Sequence, residues 1–130
     1  MEVLLPALPD YTALPAQADA TYVVMVSRLP LTRRALIPAF LGASLRIGKQ
    51  LKASQGLVTY GLKADLLRSV FWTYSAWTDR AALDAMAKAG EHRSSMKKFR
   101  PVVSGQRFAY VEIAGRDLPR KWGDREALLA

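Results

Sequence analysis

The run Phe71-Trp72-Thr73-Tyr74-Ser75-Ala76-Trp77-Thr78-Asp79 reads as a strand that ends in a tryptophan and turns directly into a capped helix. Its aromatic and hydroxyl side chains suit a pleated, half-buried surface. With a period of two, Phe71, Thr73, Ser75 and Trp77 share one face, and Trp72 and Tyr74 the other. Thr78 and Asp79 then supply a cap oxygen and a carboxylate at the positive end of a helix. Leu83, Met86 and Ala87 form that helix's apolar side, and Gly90 ends or bends it. A second short helix is expected over residues 91–99, stopped before Pro101, and it carries the chain's single histidine, His92.

Working outward, residues 57–62 read as a strand close enough to residues 69–77 to form a hairpin with them, 63–67 being the connection. Upstream, Val23 to Leu29 is a β-branched, apolar strand flanked by Tyr22, with Met25 and Ser27 on one face. Leu31 to Lys52 carries Leu36, Phe40, Ala43, Ile47 and Leu51 at three- and four-residue spacing, the stripe of the longest helix. Thr32 can cap its start, Pro38 delays or kinks it, and Gln55-Gly56 ends it. Phe108 to Ile113 is the last strand.

The order strand, helix, strand, strand, helix, strand is the split βαβ arrangement, a ferredoxin-like α+β fold. A four-stranded antiparallel sheet then carries both helices on one face and leaves the other bare. Strands apolar at nearly every position suit a sheet buried on both sides, so face-to-face homodimerisation is the expected way to cover the bare face. The expected organisation is an N-terminal arm over residues 1–20, one domain over 21–114 and a polar tail over 115–130 that contains Trp122.

Composition narrows the function classes. The chain has 130 residues, no cysteine, one histidine and a formal charge of +8. Disulfides, thiolate metal sites and cysteine nucleophiles are thereby absent, and one histidine without cysteine cannot build a zinc site. No apolar run is long enough for a membrane span. Met1 to Pro6 is apolar but lacks the basic start of a signal peptide, and with no cysteine the expected location is cytoplasmic. Gly56 and Gly61 stand alone, so no phosphate loop is present, no serine lies in a nucleophile elbow, and flavin and nicotinamide lack motifs. The basic residues are not gathered in one block. A nucleic-acid reading would use Arg46, Lys49 and Lys52 along the long helix, but nucleic acid is not the expected partner.

The residues from Phe71 to Asp79, then Ala82-Leu83, then His92-Arg93-Ser94-Ser95-Met96, resemble the antibiotic-biosynthesis monooxygenase-like superfamily of dimeric α+β barrels. Ser44-Leu45-Arg46 with Gly56 onward, and Arg100-Pro101, look closest to a bacterial branch with no settled activity. The resemblance spans about residues 21–118. It implies that the sheets of two copies pair as a dimeric α+β barrel and that Trp77 borders a pocket between sheet and helices. In haem-degrading relatives an asparagine stands where this chain has Ser27, and the haem-ligating histidine where it has Met96. Both departures count against haem degradation, and no cofactor or metal is expected.

The candidate site residues each carry two readings. Met25, Ser27, Phe71, Thr73 and Ser75 either shape a mostly apolar pocket with a few polar anchors for a small aromatic ligand or simply fill tight sheet–helix packing. Trp77 is a pocket wall or a core residue, and His92 either moves a proton or plays a structural part. Arg33 and Arg34 sit at a helix start, the wrong end for cations, where they either hold an anion or remain solvated. Arg93, Lys97, Lys98 and Arg100 form a second basic cluster expected to face solvent. The function expected by resemblance is a cofactor-independent monooxygenase, or a related small-molecule enzyme, acting on an aromatic or polyketide-like substrate. The alternative is a non-catalytic ligand- or haem-binding homodimer.

Overall fold

Ten residues of mostly apolar and β-branched sequence, Thr21–Pro30, form strand β2, an inner strand of the sheet, in the computed structural model, which describes residues 10–129. The apolar start of the chain, residues 1–9 of the expected arm, lies outside the described residues. Short strand β1 (Tyr11–Thr12) lies at one edge, followed by β3 (Leu57–Asp65), β4 (Val70–Trp77), β2 and finally β5 (Arg107–Ala114) at the other edge. Every pairing is antiparallel. The expected four strands are therefore present, and residues of the arm add a fifth by pairing Tyr11 with Tyr60 and Thr12 with Thr59.

Helix α1 (Ile37–Lys52) and helices α2 (Arg80–Lys88) and α3 (Gly90–Phe99) cover one face. The α1 stripe is the one read from spacing, with Phe40, Ala43 and Leu51 buried. Its start differs: the α-helix begins at Ile37, with Pro38 in its first turn where the missing N–H costs nothing. Thr32 does not cap it; both its backbone N–H and its hydroxyl donate to the Val102 carbonyl, at 2.8 and 2.9 Å. Asp79 does cap α2, its Oδ1 accepting from the Ala82 N–H at 2.8 Å.

The other face of the sheet is not bare. The segment expected to be a polar tail folds into helix α4 (Trp122–Ala127) and lies back across it. Leu118, Trp122, Leu128 and Leu129 pack against Tyr22, Val24, Val26, Val58, Tyr74 and Ala76, all buried within the single chain. Arg125 anchors this lid with its side chain only 1 % exposed. Its guanidinium lies 4.0 Å from the Tyr74 ring centroid and 4.8 Å from that of Trp122. Its Nη1 donates to Asp10 Oδ1 at 3.1 Å, its Nη2 to Oδ2, and its Nε to the Pro119 carbonyl at 3.0 Å. Gly61 makes room for the pair: a Cβ there would stand 2.6 Å from Asp10 Oδ1 and 3.0 Å from the guanidinium. Burial pushes the Tyr74 phenol up to about 12, Arg125 pulling it down and Asp10 adding to the rise. The bare apolar face that made dimerisation the expected outcome is thus covered by the chain itself.

None of the described helices is long and apolar enough to cross a membrane. Because Arg125 is buried with a ring on each side, Arg125→Ala removes one partner of the ion pair and opens a void. It is expected to cost about 3 kcal/mol, the low end for breaking a buried pair because Asp10 is partly exposed. Gly61→Ala is expected to weaken the same clasp by collision. Urea midpoints for both variants check this, and an unchanged midpoint for Arg125→Ala contradicts it.

Candidate functional site

Between the sheet and helices α1 and α3 lies a cavity of about 430 Å³. Its floor is built by strand register. Ser27 faces Thr73 and Met25 faces Ser75 across β2 and β4, while Tyr60 and Leu62 of β3 lie beyond them. Its roof is the inner side of α1, with Phe40, Ala43, Ser44 and Ile47. His92, Ser95, Met96 and Phe99, spaced to share one face of α3, close one side. The lining is mostly apolar, and no carboxylate belongs to it among the described residues.

The floor's hydroxyls are satisfied within the protein. Ser27 Oγ and Thr73 Oγ1 form a short hydrogen bond with each other. Trp77 Nε1 donates to Ser75 Oγ at 2.8 Å. That bond explains the place of Trp77: fully buried beside Val23, Leu57 and Leu83, it is core that braces Ser75 from behind and does not line the cavity. Phe71 is also core, its ring 4.6 Å from that of Phe40 between centroids.

His92 is positioned through α1. Gln50 accepts from the His92 backbone N–H at 3.0 Å and donates from its own Nε2 to the Met86 carbonyl at 3.0 Å. One side-chain amide so ties α1 to both α2 and α3. His92 Nδ1 lies 3.2 Å from the Ala87 carbonyl. A carbonyl only accepts, so Nδ1 carries the proton and Nε2 is left as the basic atom of the neutral ring. Burial holds the imidazole below its ordinary value of 6.5, opposed by the Ala87 hydrogen bond.

The sequence-based candidates divide cleanly. Met25, Ser27, Thr73, Ser75 and His92 are brought together around the cavity, whereas Phe71 and Trp77 stand behind it. Arg33 and Arg34 lie outside it on the exposed approach to α1, where a three-residue 3₁₀ turn spans Arg34–Leu36 and Arg34 Nη2 donates to the Leu67 carbonyl. Ser44, Ser95, Met96 and Gln50 were not singled out as site residues. The spacing of His92, Ser95, Met96 and Phe99 was the available signal for two of them. Gln50 had none, because its partners are about forty residues away.

The fold is shared with solved structures. Two proposed monooxygenases, from Lactobacillus acidophilus and Fusobacterium nucleatum, superpose with TM-scores of 0.64 and 0.70 at 13 % and 12 % identity. The match covers 79 % and 81 % of this chain, and 50 % and 48 % of theirs, so the chain spans about half their length. A single-site variant of SnoaB, a cofactor-independent oxygenase from Streptomyces nogalater, matches at 0.56 and 15 % identity over 77 % of this chain and 98 % of its own. No family model and no curated protein matches the sequence. The chain shares its fold, an antiparallel sheet with α1, α2 and α3 on one face, with these proteins and with a solved antibiotic biosynthesis monooxygenase that it matches at a TM-score of 0.62 and 14 % identity over 68 % of this chain and 95 % of that one.

Proposed function

We propose that the protein is a cofactor-independent monooxygenase, or a related small-molecule enzyme, acting on an aromatic or polyketide-like substrate in the cavity between sheet and helices. The observation that carries this reading is the cavity itself: about 430 Å³, mostly apolar, floored by hydroxyls and edged by one imidazole. Small-molecule sites have this size and this balance of apolar wall and few polar groups. The superfamily fold supports the reading at the level of general chemistry only.

In this scheme the substrate supplies the electrons to molecular oxygen as an electron-rich anion. The protein's part is to exclude water, orient the rings and accept a proton. His92 Nε2 is the basic atom, and the hydroxyls of Ser27, Thr73 and Ser75 are the groups that would meet a substrate oxygen. Trp77 acts on the site only through Ser75. Oxygen uptake with a panel of hydroquinones and anthrones tests the reading. Ser44→Leu, which fills the cavity from a helical position, is expected to lower uptake at least tenfold while leaving the fold intact. Uptake by no member of the panel sinks the oxygenase reading.

The base must be neutral to work, and its pKa is held below 6.5. The rate is therefore expected to persist to lower pH than an unperturbed histidine allows, falling only once pH drops through the lowered value. His92→Gln is expected to remove that acid limb and to cut the rate about a hundredfold. A pH profile of kcat/KM for both forms checks this, and an unchanged limb in the variant rules His92 out.

We also propose a cytoplasmic homodimer. The covered sheet face no longer argues for it, but β5 is an edge strand that exposes Phe108 and Tyr110. A second copy docked along this edge would cover the outer side of both rings and stand beside the mouth of the cavity that Phe108 lines. Analytical ultracentrifugation is expected to give twice the 14.4 kDa chain mass, and Tyr110→Lys to return it to that of one chain.

A further inference from the structure

The cavity does not end at its rim. A second depression of about 610 Å³ adjoins it, bounded by α2, α3 and β5. Met25, Met86, His92, Met96, Arg100 and Phe108 line both, so the two spaces meet along a shared margin. Their chemistry differs sharply. The inner chamber is neutral apart from Arg100 at the shared margin. The outer one is lined by Arg80, Lys88, Arg93, Lys97 and Arg100 against the single carboxylate of Asp84.

That carboxylate is already engaged, since Arg80 Nε donates to Asp84 Oδ1 at 3.1 Å while its guanidinium lies 4.9 Å from the Tyr110 ring centroid. No carboxylate among the described residues forms an ion pair with Lys88, Arg93, Lys97 or Arg100. Arg93, Lys97 and Arg100 follow one another at helical spacing, beside the stripe of His92, Met96 and Phe99 that closes the chamber. Like charges four apart repel along a helix, and Arg93 lies in its first turn, where the dipole opposes a cation. An anion lying against this stripe would relieve both costs.

We propose that the two spaces form one site for an amphipathic acid, its apolar body in the chamber and its carboxylate or phosphate held at the mouth by Arg93, Lys97 and Arg100. This rests on the reading of the chamber as a small-molecule site and adds the charge of the molecule that fills it. Such a ligand enters apolar end first and leaves its charge in contact with water, so neither end is desolvated against its chemistry. Steering by the cations also favours anions among the small molecules of the cell.

The test is isothermal titration calorimetry of the intact protein with 2-naphthylacetate, 2-naphthyl phosphate and the neutral 2-naphthylacetamide. At low salt at least one anion is expected to bind about tenfold or more tightly than the amide. The better anion identifies the headgroup. In the triple variant Arg93→Gln, Lys97→Gln, Arg100→Gln this advantage is expected to vanish while the amide's affinity stays within twofold. Added salt is expected to erode it in the unmodified protein, a check that needs no variant. Equal binding of acid and amide overturns the inference and leaves the chamber reading standing. Binding of none of the three overturns both.

Discussion

Two small hydroxyl residues between two large rings on one face of β4 are what keep the space open. Phe71 and Trp77 fill the two ends of the sheet–helix interface, while Thr73 and Ser75 leave its middle underfilled. Protein interiors are otherwise packed like organic crystals, so such a gap has to be held by its own walls. The holding is done by hydrogen bonds: Ser27 to Thr73 across the strands, and Trp77 to Ser75 along one of them. These bonds give every one of these hydroxyls a partner within the protein, which limits the cost of burying them in an apolar chamber, and leave the Ser75 O–H and one O–H of the Ser27–Thr73 pair to meet a substrate oxygen. Rings at the ends and paired hydroxyls in the middle are one design, and the helices above can rest on the rings without closing the gap.

The two faces of the sheet solve different problems. The helix face is organised around space, the opposite face around closure. There a short helix from the end of the described chain crosses the strands and pins itself with one buried guanidinium between two rings. A buried arginine survives because a carboxylate, a backbone carbonyl and two aromatic faces share its charge. The absence of a side chain at Gly61 is part of that site as much as any side chain present. The apolar sheet face is therefore covered within the chain, and what stays open on the sheet is its β5 edge.

Much of the fold was legible because it rests on local signals. The alternation in β4, the Asp79 cap and the α1 stripe each follow from a few neighbouring residues, and all stand in the structure. Strand parity grouped Thr73 and Ser75 with Trp77, and Met25 with Ser27, while the resemblance supplied the expectation that the face of Trp77 looks toward the helices. Parity could not separate wall from core, so Trp77 and Phe71 looked equivalent to the residues between them; depth is a tertiary property. The tail was misjudged because its charged residues outnumber its apolar ones, and Leu118, Leu128 and Leu129, which pack with Trp122 on the sheet, lie outside its short helix and show no helical spacing. Arg125 has no local signal, because its partners Asp10 and Tyr74 are far from it in sequence. Arg93, Lys97 and Arg100 are exposed, as the sequence led one to expect, and only the tertiary fold sets them beside the depression bounded by α2, α3 and β5.

Gln50 has a mechanical consequence. Its one amide spends its acceptor on the start of α3 and its donor on the end of α2, so the joint at Ala89–Gly90 is fastened to the long helix at a single point. Because the same amide holds the last turn of α2 and the first turn of α3, the imidazole and the Ala87 carbonyl it faces are kept in register with each other through one side chain of α1.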